Sequence, residues 1–326
     1  MIIDMHSHFY PESLIRYLLR RKTIPFLRSQ QNGMQFTTHS GTINFNKYYT
    51  SIDSRIEFMQ KLGIEKQLIT FPGSLGFDAS FSEGSTNAII NTNSEILDTI
   101  KSYPKLFKAL CGLPIYDQNK SLIEYTRIVN LGCRGVIIPC TFFLQTDWIY
   151  KYKTLLSLIN DSFGHILVHP NPPDVSQEYV NTVFNDEYKW LDESVFNLLN
   201  QVTRTLVRII VDDIASLYPN ITWQFIALGG FYPFSFNRIN SIIKDRNIFN
   251  SDLEIPASFY FDTSSMGKSN IEFSINYINP SRIIVGTDYP IFRNDNLLKD
   301  FHEINISNEN KHKILYENSN IIFANL

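Results

Sequence analysis

Short apolar runs of five to seven residues recur along the chain, and each is followed by a longer stretch with apolar residues at helical spacing. The short runs fall at about 1–5, 65–71, 107–113, 134–139, 165–169, 222–228, 258–262 and 282–287. Near-continuous apolar character over so few residues is what a strand buried on both faces of a parallel sheet requires. The longer stretches, at 51–62, 86–102, 120–131, 150–161, 192–217, 236–243 and 267–278, read as amphipathic helices, several opening on Ser, Thr or Asp or ending at Gly. Strands alternating with helices make repeated βα units, and eight strands close a (β/α)8 TIM barrel. The expectation is an α/β fold in one domain covering 1–326, with no internal repeat or linker.

Two segments fit no barrel unit. Residues 33–45 alternate apolar and polar on both sides of a Ser-Gly turn, which predicts a small β-hairpin after the first strand, within an insertion at roughly 20–50 that overhangs the barrel mouth. Residues 171–190 begin Asn171-Pro172-Pro173 and carry Tyr179, Phe184, Tyr188 and Trp190. So long a connection reads as a lid or pocket wall.

Composition narrows the function classes. A formal net charge of -3, from 29 basic and 32 acidic residues among 326, gives neither a basic field for nucleic acid nor a polybasic strip for a membrane. No apolar run approaches the ~20 residues of a spanning helix, and no signal-peptide pattern opens the chain, so a cytoplasmic protein is expected. Cys111, Cys133 and Cys140 are odd in number and lack metal-finger spacing, so reduced thiols are expected.

The candidate chemistry sits where the strands end. His6 and His8 follow the first apolar run at alternate positions, so both imidazoles face one side of a strand. His169 and Asp288 close the runs Leu167-Val168-His169 and Ile284-Val285-Gly286-Thr287-Asp288. In a (β/α)8 barrel the C-terminal strand ends build the site, and three imidazoles with one carboxylate suit one divalent ion: zinc first, with manganese or iron as alternatives. His165 opens a strand at the opposite face, and His302 and His312 fall on polar helices, so these are set aside. His39 is retained because its hairpin overhangs the mouth.

These residues carry a resemblance. The chain is similar to the amidohydrolase superfamily, in the amidohydrolase-related branch that includes 2-amino-3-carboxymuconate-6-semialdehyde decarboxylase and γ-resorcylate decarboxylase. The matching stretches run nearly the whole length: Ile3-Asp4-Met5-His6-Ser7-His8, Arg134-Gly135-Val136, Val168-His169-Pro170, Gly229-Gly230, Phe261-Asp262-Thr263, Gly286-Thr287-Asp288-Tyr289-Pro290 and Leu315-Tyr316-Glu317-Asn318. The resemblance implies that His6, His8, His169 and Asp288 bind one divalent ion and that the chemistry is nonoxidative decarboxylation, with hydrolysis and hydration in relatives. The fourth strand ends Ile137-Ile138-Pro139-Cys140 without a lysine, so a second metal is not expected. The resemblance also places Arg238, supplied across a homodimer, and Lys47 at substrate-carboxylate positions. A guanidinium fork suits a carboxylate.

One departure stands out. Similar decarboxylases end the sixth strand in His-Gly-Gly, with the histidine activating water or polarising substrate, whereas this chain reads Ala227-Leu228-Gly229-Gly230. An apolar side chain cannot move a proton. The reading is therefore a single-metal lyase, a decarboxylase of an unsaturated or aromatic small-molecule carboxylate, with Asp288 handling the proton. A metal-dependent hydrolase is one alternative, and it would need another base such as His39 or Asp262 near the metal. The other alternative is a catalytically weakened barrel that binds a ligand or serves a partner subunit.

Overall fold

The computed structural model describes all residues except 32, 40, 80, 172–187, 189–190, 248–252 and 294–295. Its barrel strands are β1 (Ile2–His8), β5 (Ile64–Thr70), β6 (Phe107–Gly112), β7 (Gly135–Pro139), β8 (His165–His169), β9 (Thr222–Phe225), β10 (Phe259–Asp262) and β11 (Ile283–Ile284). They form one eight-stranded sheet in that order, and every pairing in it is parallel. All seven residues of β1 and all five of β7 and of β8 are buried, as strands wrapped by helices on one side and filled by side chains on the other must be.

The helices between them form where their ends can be satisfied. Ser51 accepts a hydrogen bond from the Ser54 amide at 3.1 Å to open helix Ile52–Leu62, and Gly63, at φ 66°, closes it in the left-handed conformation. Asp117 does the same for Gln118–Asn130, accepting from the Lys120 amide at 3.1 Å. Among the described residues no helix is long and apolar enough to cross a membrane.

The seam that closes the barrel lies between β1 and the segment after β11. The Met5 amide donates to the Val285 carbonyl at 2.8 Å, the Asp288 amide to His6 at 2.8 Å, and the His8 amide to Tyr289 at 2.6 Å. Asp4 locks this seam from inside. It is fully buried and accepts from the Thr287 amide at 2.9 Å, the Thr287 hydroxyl at 2.6 Å, Gln67 Nε2 at 2.6 Å and the His6 amide at 3.1 Å. Arg55, also buried, ties β1 to β5 from the helix side. Its Nη1 donates to Ser7 Oγ at 2.8 Å and Gln67 Oε1 at 2.7 Å, and Nη2 donates to the His8 carbonyl.

Three expectations change. The insertion is a three-stranded antiparallel sheet rather than a hairpin, because β2 (Phe26–Gln30) pairs with β3 (Gly33–Thr38), which pairs with β4 (Gly41–Phe45). The polar second half of β2, Arg28-Ser29-Gln30, hides it from a reading of periodicity. Phe36 and Phe45 each meet the buried Tyr10 ring edge-on at 5.8 Å, which anchors the sheet beside the chain leaving β1. Strand β9 stops at Phe225, and the chain then turns through four consecutive positive φ values, at Ala227, Leu228, Gly229 and Gly230. Strand β11 is only two residues long, because from Val285 onward the chain bonds to β1 instead. The proposed lid at 171–190 lies outside the described residues except for Asn171 and Tyr188.

Replacing Asp4 by Asn exchanges an acceptor for a donor facing Gln67 and Thr287. We expect Asp4→Asn to destabilise the fold by roughly 2–4 kcal/mol, the cost of leaving buried polar groups unsatisfied. Denaturant unfolding monitored by tryptophan fluorescence measures it, and an unchanged midpoint would contradict the role of Asp4 at the seam.

Candidate metal centre and active site

The ends of β1 and β8 bring three imidazoles together. Ligand atoms of His6, His8 and His169 all lie within 4.8 Å of one another, and all three residues are buried. His6 Nε2 is 3.3 Å from His8 Nε2, and Asp288 Oδ1 is 3.2 Å from His8 Nε2 and 3.8 Å from His6 Nε2. Ligands on one tetrahedral ion with bonds of ~2.0–2.1 Å stand about 3.3 Å apart, so the spacing suits a shared divalent ion.

The other ring nitrogens are all committed. His6 Nδ1 lies 3.1 Å from Asp262 Oδ2 and 3.2 Å from Ser264 Oγ, His8 Nδ1 is 2.7 Å from Thr70 Oγ1, and His169 Nδ1 donates to the Pro170 carbonyl at 2.7 Å. Donation from Nδ1 leaves Nε2 as a bare lone pair aimed at the common point, the orientation a metal-binding histidine needs. Asp288 Oδ1 is buried and receives no hydrogen bond. An orphaned carboxylate oxygen facing unprotonated nitrogens is costly without a cation between them, so the residues fit the ion.

Strand β1 aims its ligands with an irregularity. Asp4 pairs with Gln67 and Ser7 with Ile69, so three steps along β1 match two along β5 and one extra residue is accommodated there. On the opposite flank Gly286 must be glycine, because a Cβ at that position would lie 2.9 Å from His6 Cβ and 3.0 Å from Asp262 Cγ.

Electrostatics follow burial and the two carboxylates. Burial pulls the His6 imidazole down, but the adjacent Asp262 carboxylate outweighs it and raises the pKa to about 9. His8 is held below its usual value by burial, with the His6 charge adding to it against the lift from Asp288. His169 is pushed well below by burial and by His8 and His6. Burial raises Asp262, yet the His6 charge and hydrogen bonds from His6, Ser264 and Gln224 bring it below the ordinary carboxylate range. Asp262 thus favours positive charge at the His6 ring, which an ion on Nε2 would supply, while burial keeps the His8 and His169 rings neutral.

His8, His169 and Asp288 open into a cavity of about 1040 Å³, walled largely by apolar side chains that include Tyr10, Phe36, Ile226, Leu228, Phe231 and Met266. Leu228 is buried at φ 55°, so the residue in the histidine's place is part of the wall. No lysine or arginine is among the described residues lining this cavity. Arg238 is exposed on helix Tyr232–Asp245 and lies outside the lining of its own chain's cavity. Lys47 is exposed in the short turn Lys47–Tyr49, 5.7 Å over the Tyr48 ring, and is likewise outside it. His39 does not line the cavity either.

Asp262, considered in the sequence as a base, has a different place. Its oxygens are taken up by His6, by Gln224 Nε2 at 2.7 Å, and by the Ser264 and Ala227 amides at 3.0 and 3.3 Å. It orients His6 rather than facing the cavity. Thr70, Ser264 and Gln224 support the ligands and were not singled out from sequence. The only signal for Thr70 and Ser264 is position at or just beyond a strand end. Gln224 gives none, since a polar residue inside a barrel strand declares nothing until the strand is closed.

Two outcomes follow. Protein purified without chelator should contain about one equivalent of zinc, manganese or iron by elemental analysis, and His6→Ala with His8→Ala should abolish it. Asp262→Asn should weaken metal affinity by about 10- to 100-fold while leaving stoichiometry at one, read by competition with a chelating dye.

Comparison with known proteins agrees with this geometry. The sequence model of the amidohydrolase family matches residues 3–323. Among solved structures, Metarhizium anisopliae IDCase in its apo form is 17% identical with a TM-score of 0.81, covering 100% of this chain and 97% of its own. The 5-carboxyvanillate decarboxylase of Sphingomonas paucimobilis is 16% identical with a TM-score of 0.76, covering 99% and 98%. A dihydroxybenzoic acid decarboxylase from a Polaromonas species, with bound manganese and the inhibitor 2-nitroresorcinol, is 17% identical with a TM-score of 0.74, covering 99% and 96%. With a (β/α)8 barrel, a histidine triad placed for a divalent metal and a family match over nearly its whole length, the chain belongs to the amidohydrolase family of metal-dependent enzymes.

Proposed function

We propose that the protein is a single-metal lyase that decarboxylates an unsaturated or aromatic carboxylic acid, with zinc as the resident ion and manganese or iron as alternatives. The observation that carries this reading is the unpartnered Asp288 oxygen beside the histidine triad, at the edge of a cavity whose other walls are largely apolar. Two of the structural neighbours are decarboxylases of aromatic acids by name, which supports the reaction class.

A divalent ion held by His6, His8, His169 and Asp288 would supply a Lewis acid for a substrate oxygen and for developing negative charge. The chain's own residues do the rest. When carbon dioxide leaves, the bonding pair stays on the substrate carbon, which then takes a proton. Among the described lining residues Asp288 is the carboxylic group that can carry that proton. Leu228 and its apolar neighbours exclude water, which strengthens every charge interaction within. A hydrolase is less well supported, because Asp262 is committed to His6 and His39 lies off the cavity.

The weakened-barrel alternative rests on Leu228 alone. Asp288→Asn should lower turnover by at least ~10²–10⁴-fold, the contribution of a positioned acid–base, and should weaken metal binding too. Leu228→His should leave decarboxylation flat or lower it by admitting water. A large gain in decarboxylation on Leu228→His, measured as carbon dioxide release from hydroxybenzoates, would favour the weakened barrel over the lyase.

With no lysine or arginine among the described lining residues, Arg238 gains a proposed place. In a homodimer a second copy could bring Arg238 to the partner's cavity, and Phe234, 82% exposed on the same helix, offers apolar contact for such an interface. Light scattering should give a dimer at micromolar concentration, and Arg238→Ala should raise KM more than it lowers kcat. A strict monomer would remove this role.

A further inference from the structure

The cavity is larger and more apolar than the chemistry at its metal end requires. Its volume of about 1040 Å³ lies at the top of the ~300–1,000 Å³ that encloses drug-sized ligands, and an acid with a single unsubstituted ring would leave most of it empty. His8, His169 and Asp288, which would hold the ion and through it a charged head, are gathered at one place. Elsewhere the described lining offers no lysine or arginine and only a few uncharged polar side chains, such as Thr38, Ser265 and Asn270. Among the described lining residues outside that place, a second charged group would meet no charged side chain to compensate its loss of water.

The apolar lining also continues outward. Ile43, Val195, Phe273, Ile291 and Phe292 all line the cavity, yet remain between 36% and 43% exposed. They come from separate parts of the chain: strand β4, the irregular helix Asp192–Asn197, helix Lys268–Ser274 and the loop beyond Asp288. Large apolar side chains converging from four elements and left half in water mark a surface that gains by being covered. The head-binding groups, the inner apolar wall and this half-exposed mouth together describe an amphiphile-shaped site.

We propose that the natural substrate is an acid whose reactive head carries a long, uncharged apolar substituent, and that this tail runs out along Phe273 and Phe292 to the cavity mouth. The proposal deepens the lyase reading and rests on it for the head group only. Inner residues such as Leu199, Leu228 and Met266 would meet the first carbons, and the mouth residues the later ones. Buried methylene groups then add affinity one after another until the mouth is passed, and the preference for chain length is set by apolar contact alone.

The test uses the metal-loaded full-length protein and a defined series: 2-hydroxybenzoate and its 4-methyl, 4-propyl and 4-pentyl derivatives, whose alkyl group points directly away from the carboxylate. Titration calorimetry should show Kd falling by about three- to fourfold for each added methylene. A Kd that stays level or rises with chain length, or no measurable binding of any member, overturns the proposal. Phe273→Ser combined with Phe292→Ser, at partly exposed positions where folding is checked by circular dichroism, should flatten the chain-length dependence beyond the propyl compound. An undiminished dependence would overturn the assigned path. Carbon dioxide release is read on the same series. Chain-length dependence without release upholds the tail site and removes the lyase reading, while release from the parent acid without the dependence does the reverse.

Discussion

Closure of the barrel between its first strand and the segment following its last is the constraint on which the site depends. His6 and His8 come from the beginning of the chain and Asp288 from near its end. They meet only because the Met5, His8 and Asp288 amides are spent on bonds across one seam. Strand β11 pairs with β10 over only two residues, and the chain beyond it crosses to β1. Asp4 reinforces the seam from the barrel interior through Thr287, and Arg55 ties β1 to the neighbouring strand β5 from the helix layer. Both are buried charges kept by several hydrogen bonds each, and a buried charge is tolerated only on such terms.

A division of labour runs through the centre. Asp262 and Asp288 are both carboxylates at strand ends on the same rim. Asp262 is fully enclosed and saturated by His6, Gln224, Ser264 and Ala227, whereas Asp288 keeps an oxygen without a donor and opens to the cavity. Environment alone separates the carboxylate that orients His6 from the one proposed to carry the proton. The turn at Ala227–Gly230 belongs to the same arrangement. Its run of positive φ values is disfavoured for Ala and Leu, and the Ala227 amide is held by Asp262. The backbone at the sixth strand thus keeps a special shape even though Leu228 cannot act as an acid or base.

The barrel and the ligand candidates were legible because both are written in strong local patterns. Apolar runs of strand length, spaced by amphipathic helices, leave few topologies open, and His6, His8, His169 and Asp288 each stand where such a run stops. Periodicity shows only two of the three strands of the insertion, since Arg28-Ser29-Gln30 carries no alternation to mark β2. Support for the ligands was mostly hidden. Thr70, Ser264 and Gln224 are ordinary residues in sequence and gain meaning only from neighbours brought by closure, as with the 2.7 Å approach of Thr70 to His8. The size of the cavity was illegible for the same reason, being a property of what the walls leave between them. Arg238 and Lys47 came from resemblance, and a single chain leaves both outside its own cavity.

The wide separation of the ligands along the chain has a thermodynamic consequence. An ion shared by His6 and Asp288, as proposed, would cross-link two distant parts of the chain and close most of the polypeptide into a ring. Like any cross-link over a long loop, it would remove freedom from the open chain, and it would do so reversibly, according to the concentration of free metal. Binding and seam closure would then be a single equilibrium seen from two sides, and scarcity of the ion would loosen the seam before it disturbed the interior strands.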